Sequence, residues 1–294
     1  MVSSSLSSTD QLILSKITEI GCSISLFFLV VTVFIFFTSS KIKVDDSTKI
    51  HIRLAIALIL LNLHFLTTEM AAESSSPGLC CYVALAIHYS LLATFCWMGL
   101  EGFHLYLLIV KVFNIHINRY MLKISVVGWG VPAVIVSVLL SINKDFYGRY
   151  TFVDSSNSSS TAICYITDDK VKWVTTVGVF GLMFLFVTAV FSVTVRNMMP
   201  NCCQKEFRQK DWRGFKQNVS TVLVLFTLLG ITWGLIFFSF GHLTTPGLYL
   251  FCILNSLQGF FIFLYFILAL RKTKVMKLSP SKRPKTTNSL DILD

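Results

Sequence analysis

Long apolar runs separated by short polar linkers dominate the chain. Seven such runs stand out, at residues 17–38, 50–71, 80–112, 121–142, 172–196, 219–240 and 246–270. Each reaches the roughly 20 residues that a helix needs to cross a bilayer. None shows the two-residue alternation of a membrane β-strand, so all are read as helices. The third run is long enough to tilt, or to extend beyond the membrane. No internal repeat is visible. The pattern predicts an all-α membrane protein, a seven-transmembrane helix bundle. It is organised as an extracellular stub (1–16), a seven-span membrane domain (17–270) and a cytoplasmic tail (271–294).

Composition agrees with that pattern. Of the 294 residues, 54% are hydrophobic and 14% are charged, against about 25% charged in an ordinary soluble domain. Residues 1–16 are polar and lack the basic, apolar and small-residue segments of a signal peptide. The first run must then act as its own insertion signal, or the chain is a fragment of something longer; the second is the expectation here.

Charge supplies an orientation. Twenty of the 25 Lys and Arg residues fall in one set of loops and the C-terminus, and five fall on the other side with the N-terminus. The positive-inside rule puts the N-terminus outside and the C-terminus inside. Contact with anionic membrane lipids accounts for the +10 net charge without nucleic acid. On the outer side, Asn157-Ser158-Ser159 forms a glycosylation acceptor in the loop between the fourth and fifth runs. Cys80 opens the third run at its outer end, and Cys164 lies in the same loop as Asn157. An oxidising exterior favours a bridge between them, with Cys81 as an adjacent competitor.

Four strings then narrow the reading: HYSLLATFCWMGLEGFHLYLL at 88–108, GWGVP at 128–132, LLGITWGL at 228–235 and LNSLQGFFIF at 254–263. In this order they resemble the adhesion family of G-protein-coupled receptors (class B2), in wording its subfamily G, over residues 17–270. The Asp-Arg-Tyr and Asn-Pro-x-x-Tyr signatures of rhodopsin-like receptors are absent.

Glu101 is the one carboxylate deep inside a predicted span, where a charge needs a partner or water. His51, at the inner end of the second span, is the best candidate. The resemblance implies that this pair forms a polar lock near the cytoplasmic end. It also makes His104-Leu105-Tyr106 the counterpart of the Asp-Arg-Tyr motif on the G-protein side. Spacing places Glu101, His104 and Leu105 on one helical face, which a plain packing role also satisfies. Trp233 follows the small Gly230, leaving room for a rotamer change. The resemblance makes Trp233 an agonist-sensing toggle packed on Phe95 and Met98, although an aromatic stripe is more often plain core. Gly259 permits close approach or a kink in the seventh span. Asn255 and Gln258 face the bundle either as pocket lining or as interhelical hydrogen-bonding groups.

The implied agonist pocket is lined by His88, Leu92, Tyr165, Trp173, Trp233, Phe237 and Asn255. The family usually carries Trp after the outer-loop cysteine, where this chain has Tyr165. The implied agonist is a tethered peptide of the form Thr-x-Phe-x-x-Leu-Met, freed by self-cleavage of an upstream domain; a small apolar ligand is the other candidate. The chain begins Met1-Val2-Ser3 without that stretch, so low activity is expected until a ligand is added. The implied partners are a heterotrimeric G protein and, through Thr286, Thr287 and Ser289, arrestin. No cofactor, metal or catalytic residue is expected. No nucleophile–base set or metal-ligand spacing supports an enzyme, and a transporter would favour repeated halves and several midmembrane charges. A non-signalling or partner-dependent seven-span receptor is the alternative.

Overall fold

The computed structural model describes residues 8–38, 46–110, 118–151, 162–203 and 244–278. Its elements in chain order are helices α1 (Ser8–Thr38), α2 (Asp46–Leu66), α3 (Thr68–Glu73), α4 (Pro77–Val110) and α5 (Tyr120–Ile142), strands β1 (Tyr147–Thr151) and β2 (Ala162–Ile166), then α6 (Asp169–Lys172), which continues through a π-helical turn (Trp173–Gly178) into α7 (Val179–Cys203), and finally α8 (Thr244–Ser256) and α9 (Gln258–Leu278). Among the described residues, five helices are long and apolar enough to cross a membrane: Leu12–Thr38, Asp46–Leu66, Pro77–His104, Tyr120–Ile142 and Asp169–Val190. The sixth predicted run, with Trp233 and Phe237, and Asn157 lie outside the described residues.

These helices are apolar nearly all round, as a lipid solvent demands. Phe34, Phe37, Val134 and Leu182 point outward. Several hydroxyls within them are satisfied by their own helix: Thr32, Thr94, Ser141 and Thr175 each donate to the carbonyl four residues earlier. Helix α5 runs unbroken through Pro132, which is fully buried.

Helix α4 is the central column, packed by α2, α5 and α7, while α1 lies against α2, α8 and α9. The main core gathers Leu54, Leu92, Phe95, Trp97, Met98 and Phe180. Close approach is built from small residues. A Cβ on Gly128 would sit 2.5 Å from the Trp97 ring, one on Gly21 2.6 Å from the Ser256 Cβ, and one on Gly259 2.6 Å from Leu29 Cγ.

Three features differ from the sequence expectation. The second run does not continue to residue 71. Helix α2 ends at Leu66, where the Thr67 hydroxyl donates to the carbonyls of Leu63 and His64. The following Thr68 hydroxyl then pairs with both backbone groups of Cys164, at 3.0 Å each. The seventh run is divided at Leu257 into α8 and α9, the break sitting where Gly259 and Ser256 meet α1. The bundle is also not purely helical: β1 and β2 form an antiparallel pair with Tyr147 opposite Ile166 and Arg149 opposite Cys164. Strands too short to cross a membrane give no signal in a search for membrane-length periodicity.

Candidate functional site

The chemistry-bearing residues fall in three layers along α4. At its Cys80 end the strand pair is fastened down. Cys80 and Cys164 are joined by a disulfide, leaving Cys81 half-buried with a free thiol. Tyr147, Cys164 and Ile166 bury their side chains with Ala84 and Ile87 of α4 and with Ala71 and Ala72 of α3. The fully buried His88 places Nδ1 2.9 Å from the Tyr147 hydroxyl, and its Nε2 has no hydrogen-bond partner among the described residues. The Arg149 guanidinium donates to the carbonyl of Ser74 at 2.9 Å. Tyr165 sets its hydroxyl 3.4 Å from that of Thr176, on the π-helical turn. Burial raises both loop phenols above the ordinary tyrosine value; at Tyr165 the Thr176 contact and the Lys172 charge oppose that rise.

Of the expected pocket residues, Leu92 is fully buried, Asn255 is partly buried, and Trp173 is 60% exposed. His88 and Leu92 thus stand one turn apart on α4, and Tyr165 packs against the cluster that holds Ala84 and Ile87 of the same helix. Trp233 and Phe237 lie outside the described residues.

In the middle layer, Phe95 packs on Phe180 with ring centroids 5.3 Å apart, and Met98 is buried in the same cluster. Beside it, the backbone N–H of Gly259 donates to Ser25 Oγ at 3.0 Å, and Asn62 Nδ2 donates to the same oxygen at 3.2 Å. Ser25 thus joins α1, α2 and α9 through one hydroxyl. Gln258 is buried nearby, and its Nε2 has no partner among the described residues.

At the far end of α4, Glu101 is buried with Oε1 2.5 Å from Nδ1 of His51, on α2. Its other oxygen, Oε2, has no hydrogen-bond partner among the described residues. The His51 ring also packs on Tyr265 of α9, centroids 5.1 Å apart. One turn along α4, His104 holds Tyr120 Oη at 3.2 Å and Ser47 Oγ at 3.1 Å, tying α4 to α5 and α2. Tyr106 is half-buried; Leu105 belongs to α4, but its side chain lies outside the description.

Several residues that organise these layers were not singled out from sequence: Thr68, Tyr147, Ser25, Asn62 and Trp97. Trp97 is fully buried, wedged over Gly128, 5.7 Å from the Trp129 ring and beneath the Arg53 guanidinium. A glycine in the middle of a membrane helix, such as Gly128, was the available signal for that contact.

Comparison with known proteins places the chain in a family. The family model described as 7 transmembrane receptor (Secretin family) matches residues 11–262. The human Adhesion G-protein coupled receptor G2 is 42% identical over 260 residues, covering 88% of this chain and 26% of that protein. The human Adhesion G-protein coupled receptor G4 is 41% identical over 264 residues, covering 89% of this chain and 8% of its own length. The zebrafish (Danio rerio) Adhesion G-protein coupled receptor G6 is 38% identical over 257 residues, covering 86% and 21%. The chain thus spans about a quarter or less of the length of these curated relatives. The chain belongs to the secretin-type family of seven-transmembrane receptors, in its adhesion branch of subfamily G: multi-pass plasma-membrane receptors rather than enzymes.

Proposed function

We propose that this chain passes an extracellular signal to a heterotrimeric G protein through a bundle of seven spans, with its N-terminus outside and its C-terminus in the cytoplasm. The observation that carries this reading is the buried His51–Glu101 pair, which joins α2 to α4 at 2.5 Å. A carboxylate in that position is costly to bury and is held by few partners. It therefore makes a two-state element: intact, it holds the cytoplasmic ends of α2 and α4 together; broken, it releases them. His104, tied to Tyr120 and Ser47 one turn closer to the cytoplasm, extends the same restraint to α5.

At the extracellular end, the agonist is a tethered peptide or a small apolar ligand. It is received by His88, Leu92, Tyr165, Trp173 and Asn255 together with Trp233 and Phe237. Phe95, Met98, Trp233, Gln258 and Gly259 carry the change downward. Asn157 bears a glycan, and the Ser/Thr-containing tail engages arrestin. A ligand shifts the equilibrium only by its preference for the active arrangement. The contacts that differ between the two states are thus expected at these residues.

The test is G-protein activation in cells expressing this chain, with and without a synthetic peptide of the Thr-x-Phe-x-x-Leu-Met form, at matched surface expression. The expected result is a peptide-dependent rise that Trp233→Ala removes. A well-expressed chain that responds to no peptide and couples to no G-protein family would replace this reading with the partner-dependent or non-signalling one.

A further inference from the structure

We propose that the π-helical turn Trp173–Gly178 is a register switch, which turns Trp173 into the agonist site when an agonist binds. The proposal rests on the agonist site described under the proposed function and concerns how that site is completed. Single π-helical turns inside α-helices often mark functional positions. This one joins α6, at the strand pair, to the membrane-spanning α7.

Trp173 stands out of register with the helix it opens. Phe180 packs on Phe95, Met183 Sδ lies 3.0 Å from where a Cβ of Gly99 would sit, and Val187 Cγ2 lies 3.7 Å from that of Gly102. These three residues form the face that α7 turns to α4. Continued toward the strand pair, the stripe passes through Thr176, whose hydroxyl lies 3.4 Å from that of Tyr165, and reaches Trp173. Positions 173, 176, 180, 183 and 187 alternate steps of three and four, the inward-facing pattern of an α-helix. Seven residues make about two full turns, so an uninterrupted α-helix would set Trp173 over Phe180. Instead Trp173 is 60% exposed, against 9% for Phe180.

The π turn is the cause. A turn closed by i→i+5 hydrogen bonds holds one residue more than an α-turn, and one residue is worth about 100° of rotation. That carries Trp173 off the stripe. The backbone ladder changes register at both ends of the turn: the Trp173 N–H is shared between the carbonyls of Asp169 and Lys170, and the Val179 N–H reaches back only to Thr176. The Thr175 hydroxyl donates to the Val171 carbonyl at 2.7 Å, a back-bond of the kind that weakens and bends helices. Two anchors hold the turn from opposite sides. Helix α6 is tied to the strand pair, with Lys172 Nζ 4.7 Å over the Tyr150 ring, and α7 is keyed to α4 through Phe180. Interfacial tryptophans anchor helices at a membrane surface, which accounts for an indole here but not for the extra residue beneath it. A ligand seated against Tyr165 gains the indole only in the α register, so its binding favours that register.

The test is tryptophan fluorescence of the full chain in nanodiscs of phosphatidylcholine brominated near the top of its acyl chains. The Trp173 signal is the difference from Trp173→Phe, and the probe is the synthetic peptide of the Thr-x-Phe-x-x-Leu-Met form. Without peptide the bromines should quench Trp173; with peptide that quenching should be lost. Deletion of Val174, which is 70% exposed, removes the extra residue and leaves Trp173 outside. Its quenching should then be the same with and without peptide, and peptide-driven G-protein activation should be lost at matched surface expression. Deletion of Thr175 carries the same expectation if the first variant does not fold. A peptide that activates the G protein while Trp173 stays quenched would overturn the switch and leave the receptor reading standing. Loss of quenching in the deletion variant without peptide would overturn it independently of any agonist. A peptide that changes neither signal would overturn both readings.

Discussion

Single side chains set the tightest constraints in this bundle. Gly259 gives its N–H to Ser25, and an added Cβ there would lie 2.6 Å from Leu29 Cγ. Gly259→Ala should therefore cost about 1–3 kcal/mol of stability, as overpacking does, and lower the melting temperature of the purified protein. Gly78→Ala, where a Cβ meets nothing within 4 Å, should change it by less than about 0.5 kcal/mol. The His51–Glu101 pair makes a directional prediction. His51→Ala strands a buried carboxylate and should cost about 3–5 kcal/mol, read as lost surface expression. Glu101→Gln removes the charge itself and should express better than His51→Ala. The pair was legible in the sequence because Glu101 is alone among apolar neighbours. Trp97 was not, because an indole in a run rich in Phe, Leu and Met looks like any other core residue. Only the missing Cβ of Gly128 on another helix reveals its seat.

At the scale of elements, long helices were the most legible, since membrane length and apolarity are properties of a single stretch of chain. Their interruptions were not. Helix α2 stops at Leu66 because Thr68 pairs with Cys164, a residue 96 positions away. The strand pair is seated by a hydrogen bond between His88 and Tyr147, 59 positions apart. Neither partner can be read from local pattern. Thr68→Val keeps the shape but leaves the buried N–H and carbonyl of Cys164 unpaired. That should cost about 1–3 kcal/mol for each group, seen as faster hydrogen exchange across 162–166, with Thr68→Ser restoring protection. The raised phenols of Tyr147 and Tyr165 add a pH signature. Folding favours their neutral form, so their contribution is intact below the unfolded value of about 10 and is lost as pH rises past it. Thermal stability of the loop should thus show no tyrosine-dependent change from neutral pH to about 9 and fall above about 10.

For the whole molecule, apolar length and four ordered strings carried the family, and the family match over residues 11–262 agrees with them. The layered arrangement around α4 adds how the parts meet: an anchored strand pair at one end, a buried ion pair at the other, and an aromatic and glycine-rich waist between. In the proposed function, the ion pair restrains the signalling state. The direct measurement is ligand-independent G-protein activation by Glu101→Gln against the unaltered chain, at equal surface density and across G-protein families. Higher basal activation is expected in the variant, because the restraint between α2 and α4 is weakened while both helices remain packed. Basal activation equal to that of the unaltered chain, in a variant that still responds fully to peptide, would contradict it and leave His51–Glu101 as a static contact.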